Sequence, residues 1–216
     1  MSSELDKLFE PVNDDERERS FGLGRRSSGR GLSEFARAAI DTTAKQDDWL
    51  IGAGVDAGWL RGRMARYGYV KAAVNDNGLW QPDAAGKGVI VVPEIPVLSP
   101  SGVTLEQGDL VACDPRAPEK MYCRVGTYCP LINPDAPQWS AFHGFDLRVF
   151  ANPVRYLAGY QMGCVVVNWG QVSAMDFIGP RKIICDTLEI GERIDRLFRA
   201  VRAPEIHIQQ DAAEAA

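Results

Sequence analysis

Residues 88–125 read GVIVVPEIPVLSPSGVTLEQGDLVACDPRAPEKMYCRV, and this stretch decides the fold class. Apolar runs rich in β-branched residues fall at 89–92, 95–98, 110–112 and 121–125. Each is cut off by a turn signal: Pro93, Pro100-Ser101-Gly102, Gly108-Asp109, or the proline-bearing stretch from Asp114 to Pro118. Short β-branched runs with Pro and Gly punctuation predict a β-meander, because those residues stop helices and set turns.

Downstream, a second set of runs predicts further strands at 154–157, 162–169, 172–178 and 182–185, with 164–167 as a buried central strand. Asn168-Trp169-Gly170-Gln171 and Gly179-Pro180 supply the turns. Between the two sets, 128–150 mixes prolines with aromatic residues and reads as a long loop packed by its own side chains, ending in a strand at 146–150. Trp139, Phe142, His143 and Phe145 in that segment either line a pocket or, more simply, pin the loop. Helices are expected at 33–46, 56–73 and 187–202. The last has an apolar stripe of Ile190, Ile194, Leu197, Phe198 and Val201, with Asp186 as its cap. The chain therefore predicts an α+β, mainly β fold: a sandwich or barrel-like core over about 88–185, flanking helices and extended polar termini. One domain at 32–203 would lie between an arm at 1–31 and a tail at 204–216.

Within the meander, Gly108-Asp109-Leu110-Val111 is similar to the strand start of LexA-like serine peptidases, and Ser99 stands where their nucleophile would. The resemblance covers some fifteen residues and implies a serine–lysine dyad. Between Lys120 and Lys182 there is no lysine to act as the base, so the dyad lacks its partner.

Working back towards the N-terminus, Gly78 to Gly88 reads as a turn-rich connection. Before it, Trp49-Leu50-Ile51-Gly52-Ala53-Gly54-Val55-Asp56-Ala57-Gly58 resembles a dinucleotide-binding fingerprint: short strand, glycine-rich turn, helix, then a second strand ending at Asp76. Gly52, Gly54 and Gly58 space as GxGxxxG, one residue longer than the pattern that lets a backbone approach a pyrophosphate. A nucleotide- or dinucleotide-binding enzyme using the Gly52–Gly58 turn is accordingly the second functional reading. The simpler alternative is a loop entering a helix.

Residues 1–31 carry Leu5, Leu8 and Phe9 at helical spacing, then an acidic-basic block, then a Gly/Ser/Arg stretch with Arg25, Arg26 and Arg30. Leu8, Phe9, Arg25 and Arg26 are the candidate partner-contact residues, and the arginines admit nucleic-acid contact as a third reading.

Composition limits the choices. A net charge of −5 argues against general polyanion binding by the whole chain. MSSELDKLFEP is too charged for a secretory signal, and no apolar stretch is long enough for a membrane span. Five irregularly spaced cysteines with no CxxC pair, and two distant histidines, point to buried free thiols in a reducing compartment; Cys123 and Cys129 could alternatively bridge a short loop. No nucleophile–base pair, metal spacing or intact phosphate loop stands out, and no catalytic residue, metal or cofactor is expected. The leading expectation is a non-enzymatic structural or assembly protein, cytoplasmic or, if phage-encoded, a virion component of the capsid-decorating or connector type. Its partners would be copies of itself or a larger protein assembly.

Overall fold

The computed structural model describes residues 30–40, 42–62, 65–95, 109–124 and 129–201. Over these the chain is α+β, built from a closed five-stranded barrel, a four-stranded sheet and six α-helices. Helical residues outnumber strand residues, so the expected predominance of β does not hold.

The barrel comprises β1 (Gly68–Val74), β2 (Leu79–Pro82), β3 (Lys87–Pro93), β4 (Leu110–Asp114) and β5 (Ala117–Arg124), in the ring order β1-β2-β5-β4-β3. All neighbours are antiparallel except β2 and β5, which run parallel. Strand periodicity turns alternate residues to one side. Ala72, Trp80, Val89, Val91, Leu110, Ala112 and Tyr122, drawn from all five strands, form one buried cluster inside the barrel. The indole of Trp80 donates to the Leu110 carbonyl at 2.9 Å, which satisfies its one polar group. Helix α1 (Arg30–Ile40) adds Phe35 and Ala38 to that cluster. Its contact with β1 requires a glycine: a Cβ on Gly68 would lie 2.7 Å from Ala38. Arg124 fastens α1 to β5 by a two-pronged ion pair with Glu34, at 2.8 and 3.0 Å.

The other side of β3 and β4 is buried too. Ile90, Val92, Val111 and Cys113 face α2 (Ala44–Gly52), α3 (Ala57–Arg61) and the second sheet. That sheet contains β6 (Leu131–Ile132), β7 (Leu147–Phe150), β8 (Cys164–Val166) and β9 (Ile183–Cys185) in the order β6-β8-β7-β9. Its Ile132, Phe150 and Val165, with Val154, Tyr156 and Leu157 of α5 (Pro153–Ala158), meet the barrel. On its far face Leu131, Leu147, Val149, Cys164 and Val166 pack with Phe177 and with Ile190 and Ile194 of α6 (Leu188–Ala200). Helix α4 (Ala136–His143) lies between β6 and β7 in sequence.

Several expectations are corrected. The sandwich or barrel-like core expected at 88–185 is a closed barrel with a separate four-stranded sheet, and the barrel starts earlier, at Gly68. The helix expected over 56–73 stops at Arg61, and Gly68–Val74 is strand β1. The helix at 33–46 is two helices: Thr43 starts α2, its backbone N–H held at 2.7 Å by the Gln46 side chain. The turn-rich connection at 78–88 contains β2. The loop at 128–150 contains β6 and α4, and the strand at 154–157 is α5, with Asn152 as cap and Pro153 opening it. The strand at 172–178 and the turn at 168–171 are 3-10 turns, Ala174–Phe177 and Trp169–Gln171. Helix α6 forms where expected but is capped by Thr187, which accepts from the Ile190 N–H, and not by Asp186. The central strand at 164–166 is buried as expected. All five cysteines are free, so Cys123 and Cys129 form no bridge here.

Candidate interaction surface

Helix α4 turns its bulk outward. The face it buries carries Ala136, Pro137 and Ser140, which are small. Its large apolar residues face outward: Phe142 is 84% exposed and Trp139 47%, and Phe145 just beyond the helix is 63% exposed. The helix ends at Gly144, whose φ of 72° is the left-handed C-cap that glycine adopts without steric cost. That reversal brings Phe145 back over the helix. Trp139 and His143 then stack, with centroids 4.9 Å apart and 13° between planes, and Phe145 stacks on His143 at 5.8 Å. Phe142 meets His143 edge-on at 4.9 Å.

A second segment borders this cluster. A Cβ on Gly179 would lie 2.9 Å from the Ala141 Cβ, so the loop before β9 runs against α4. Ile178, Arg181 and Lys182 of this loop are exposed. Lys182 pairs with Asp146 at 3.0 Å, one residue past Phe145. The result is an aromatic surface with a basic edge. Large apolar side chains left together in water carry a hydration cost, roughly 25 cal/mol per Å² of apolar surface, that folding has not removed.

The described residues offer less to chemistry. Glu94 and Asp109, both buried, lie at the end of the barrel where β3 leaves and β4 begins. The Glu94 carboxylate accepts from the Asp109 N–H at 2.8 Å, and the Asp109 carboxylate accepts from the Leu110 N–H at 2.6 Å. The Glu94 carboxylate thus helps clasp the two strands together, beside the Glu94 N–H to Asp109 carbonyl bond at 2.7 Å, while the Asp109 carboxylate holds its own neighbour's N–H. Cys123 lies near enough that burial, and then the Asp109 charge, push its thiol up to about 11, which keeps it protonated and a poor nucleophile. Burial pushes Cys113 and Cys164 up to about 12. Among the described residues no group of three His, Cys, Asp or Glu side chains is placed to hold a metal. An open hollow lined by Gln46, Tyr69, Lys71, Pro82 and Asp83 offers one lysine and one carboxylate.

The residues singled out in the sequence fare differently. Leu8, Phe9, Arg25 and Arg26 lie outside the described residues, as do Ser99 and Gly108 of the peptidase resemblance. Trp49, Leu50 and Ile51 belong to helix α2, so the strand that a dinucleotide fingerprint requires is absent before the glycines. Gly54 has a φ of 97° and turns the chain between helices, while the Asp56 carboxylate caps α3 by accepting from the Trp59 N–H at 2.7 Å. Trp139, Phe142, His143 and Phe145 do come together, but on an outer face and not around a pocket.

No family model, curated protein or solved structure matches the chain. Its functional reading therefore rests on its own surface. Among the described residues, no helix is long and apolar enough to cross a membrane.

Proposed function

We propose that this chain is a non-enzymatic assembly protein that joins other protein surfaces through the aromatic face of α4, with a virion shell as its setting. The observation that carries this reading is the inverted helix: small residues inward, and Trp139 and Phe142 outward and continuous with Phe145. Aromatic side chains are enriched at the centres of protein interfaces because they bury much area for little lost rotamer freedom. A monomer gains nothing in folding stability by displaying them. The basic edge at Arg181 and Lys182 supplies orientation and partner choice more than affinity.

The test is light scattering on the full chain over a hundredfold range of concentration. The wild type is expected to be larger than a monomer at the upper end, and Phe142→Ser/Phe145→Ser to be smaller at the same concentration with an unchanged melting temperature. A wild type that stays monomeric throughout, with no partner retained in pull-downs, sinks the proposal.

A further inference from the structure

We infer that the aromatic face is covered by the N-terminal segment of a second copy of this chain, with Leu5, Leu8 and Phe9 as the inserted residues. This deepens the assembly reading and rests on it. Three observations on the two surfaces converge.

The first is shape and chemistry. Leu5, Leu8 and Phe9 follow the i, i+3, i+4 spacing by which one turn of helix presents a single apolar face, the usual form of a helix laid on an apolar surface. The exposed surface offers Trp139, Phe142 and Phe145 for them to cover.

The second is charge. Glu4, Asp6 and Glu10 surround the three apolar residues, opposed only by Lys7, so the first ten residues carry −2 in side-chain charge. The aromatic surface is edged by Arg181 and Lys182, with Asp146 as the acidic partner of Lys182. An acidic apolar segment meets a basic apolar surface, whereas a basic segment would be repelled.

The third is reach. Residues 10–29 separate the apolar trio from Arg30, where α1 begins. Fully extended, such a connector spans at most roughly 60–70 Å. That is enough to cross from one molecule to a neighbour, and a contact of this kind is head-to-tail unless two copies exchange arms reciprocally.

The experiment uses full-length chains with two complementary lesions. Leu8→Ser/Phe9→Ser spoils the segment and leaves the surface intact; Phe142→Ser/Phe145→Ser does the reverse. Each alone should be monomeric where the wild type is not. An equimolar mixture should recover a dimer, because one good segment then meets one good surface, and the dimer should weaken as salt is raised from 0.05 to 0.5 M. Thermal melts verify that each variant is folded, and Phe142→Gln serves as a milder second lesion should the double variant not fold. A mixture that stays monomeric overturns the inference, as does a segment variant that keeps wild-type mass. If only the surface variant loses mass, the assembly reading stands and the segment is not what covers the face. If the wild type itself is monomeric, both fail together.

Discussion

In the barrel, β3 and β4 bury both of their faces, one inside the ring and one against the second sheet, and every large apolar residue they carry is covered. In the neighbouring layer, α4 leaves its largest residues in water and buries only the small Ala136, Pro137 and Ser140. The burial of β3 and β4 on both faces is explained by folding energetics alone. The α4 face is not, and that asymmetry is the reason for assigning function to the second layer. The barrel supports it, and the chain's outward-facing chemistry lies at the edge.

The comparison can be broken most forcefully at Trp80. Its buried ring fills the barrel interior, so Trp80→Ala is expected to cost about 3–5 kcal/mol in denaturant unfolding. Leu147→Ala in the second sheet is expected to cost about 2–5 kcal/mol. Both should move one common transition, because Ile90, Val92 and Val111 share a cluster with Ile132, Phe150 and Val165. Two separate transitions, each answering to one substitution, would show that the layers are independent.

A weaker effect is expected from Arg124→Ala, which releases the α1 clasp and uncovers Trp80, over whose ring the guanidinium lies at 5.3 Å. A loss of about 1–2 kcal/mol is expected, less than for either core truncation because the ion pair is partly solvated.

Alkaline pH probes both layers at once. Cys113 in the barrel and Cys164 in the sheet hold their protons more tightly folded than unfolded. Their contribution is complete below the ordinary thiol pKa of about 8.5 and is lost as pH rises toward about 12. Urea midpoints should therefore fall between pH 9 and the alkaline limit, and both thiols should resist a thiol reagent at pH 8 until the chain unfolds.

The smallest effect sharpens the contrast. Phe142→Ser should change stability by no more than about 0.5 kcal/mol, since the ring is in water already. A cost near that of Leu147→Ala would mean that the face is a structural part of the fold.

What could be read from the sequence follows the same division. Strands β3 and β4 were legible because runs such as Val89-Ile90-Val91-Val92 are β-branched and bounded by turn residues. Helix α6 was legible from its stripe. Strand β1 reads as a strand only within the dinucleotide resemblance and otherwise as helix: Gly68-Tyr69-Val70-Lys71-Ala72-Ala73-Val74 holds two alanines, good helix formers, and becomes a strand through barrel pairing and the close approach of α1 to Gly68. In α4 and α5 the starting signals were present, with Pro137 and Pro153 near the first turn, but aromatic and β-branched content outweighed them. The aromatic quartet was visible as residues, while its exposure was not. Exposure depends on which face of α4 meets the sheet, and this is settled by the small residues Ala136, Pro137 and Ser140 on the opposite side.

One contact joins parts of the chain that are made far apart in time. The side-chain amide of Gln161 accepts from the Arg66 N–H at 2.8 Å and donates to the Arg66 carbonyl at 3.2 Å, serving as a strand-like partner for the backbone just ahead of β1. The two residues are 95 positions apart. During synthesis the first barrel strand therefore emerges long before the group that pins its approach exists. Closing so distant a contact carries a loop-closure cost that sets in only once the second layer is made. The backbone just ahead of β1 therefore gains this partner only after the chain has been made through Gln161. A chain truncated before Gln161 would display an unfinished seam where the whole protein has a closed one.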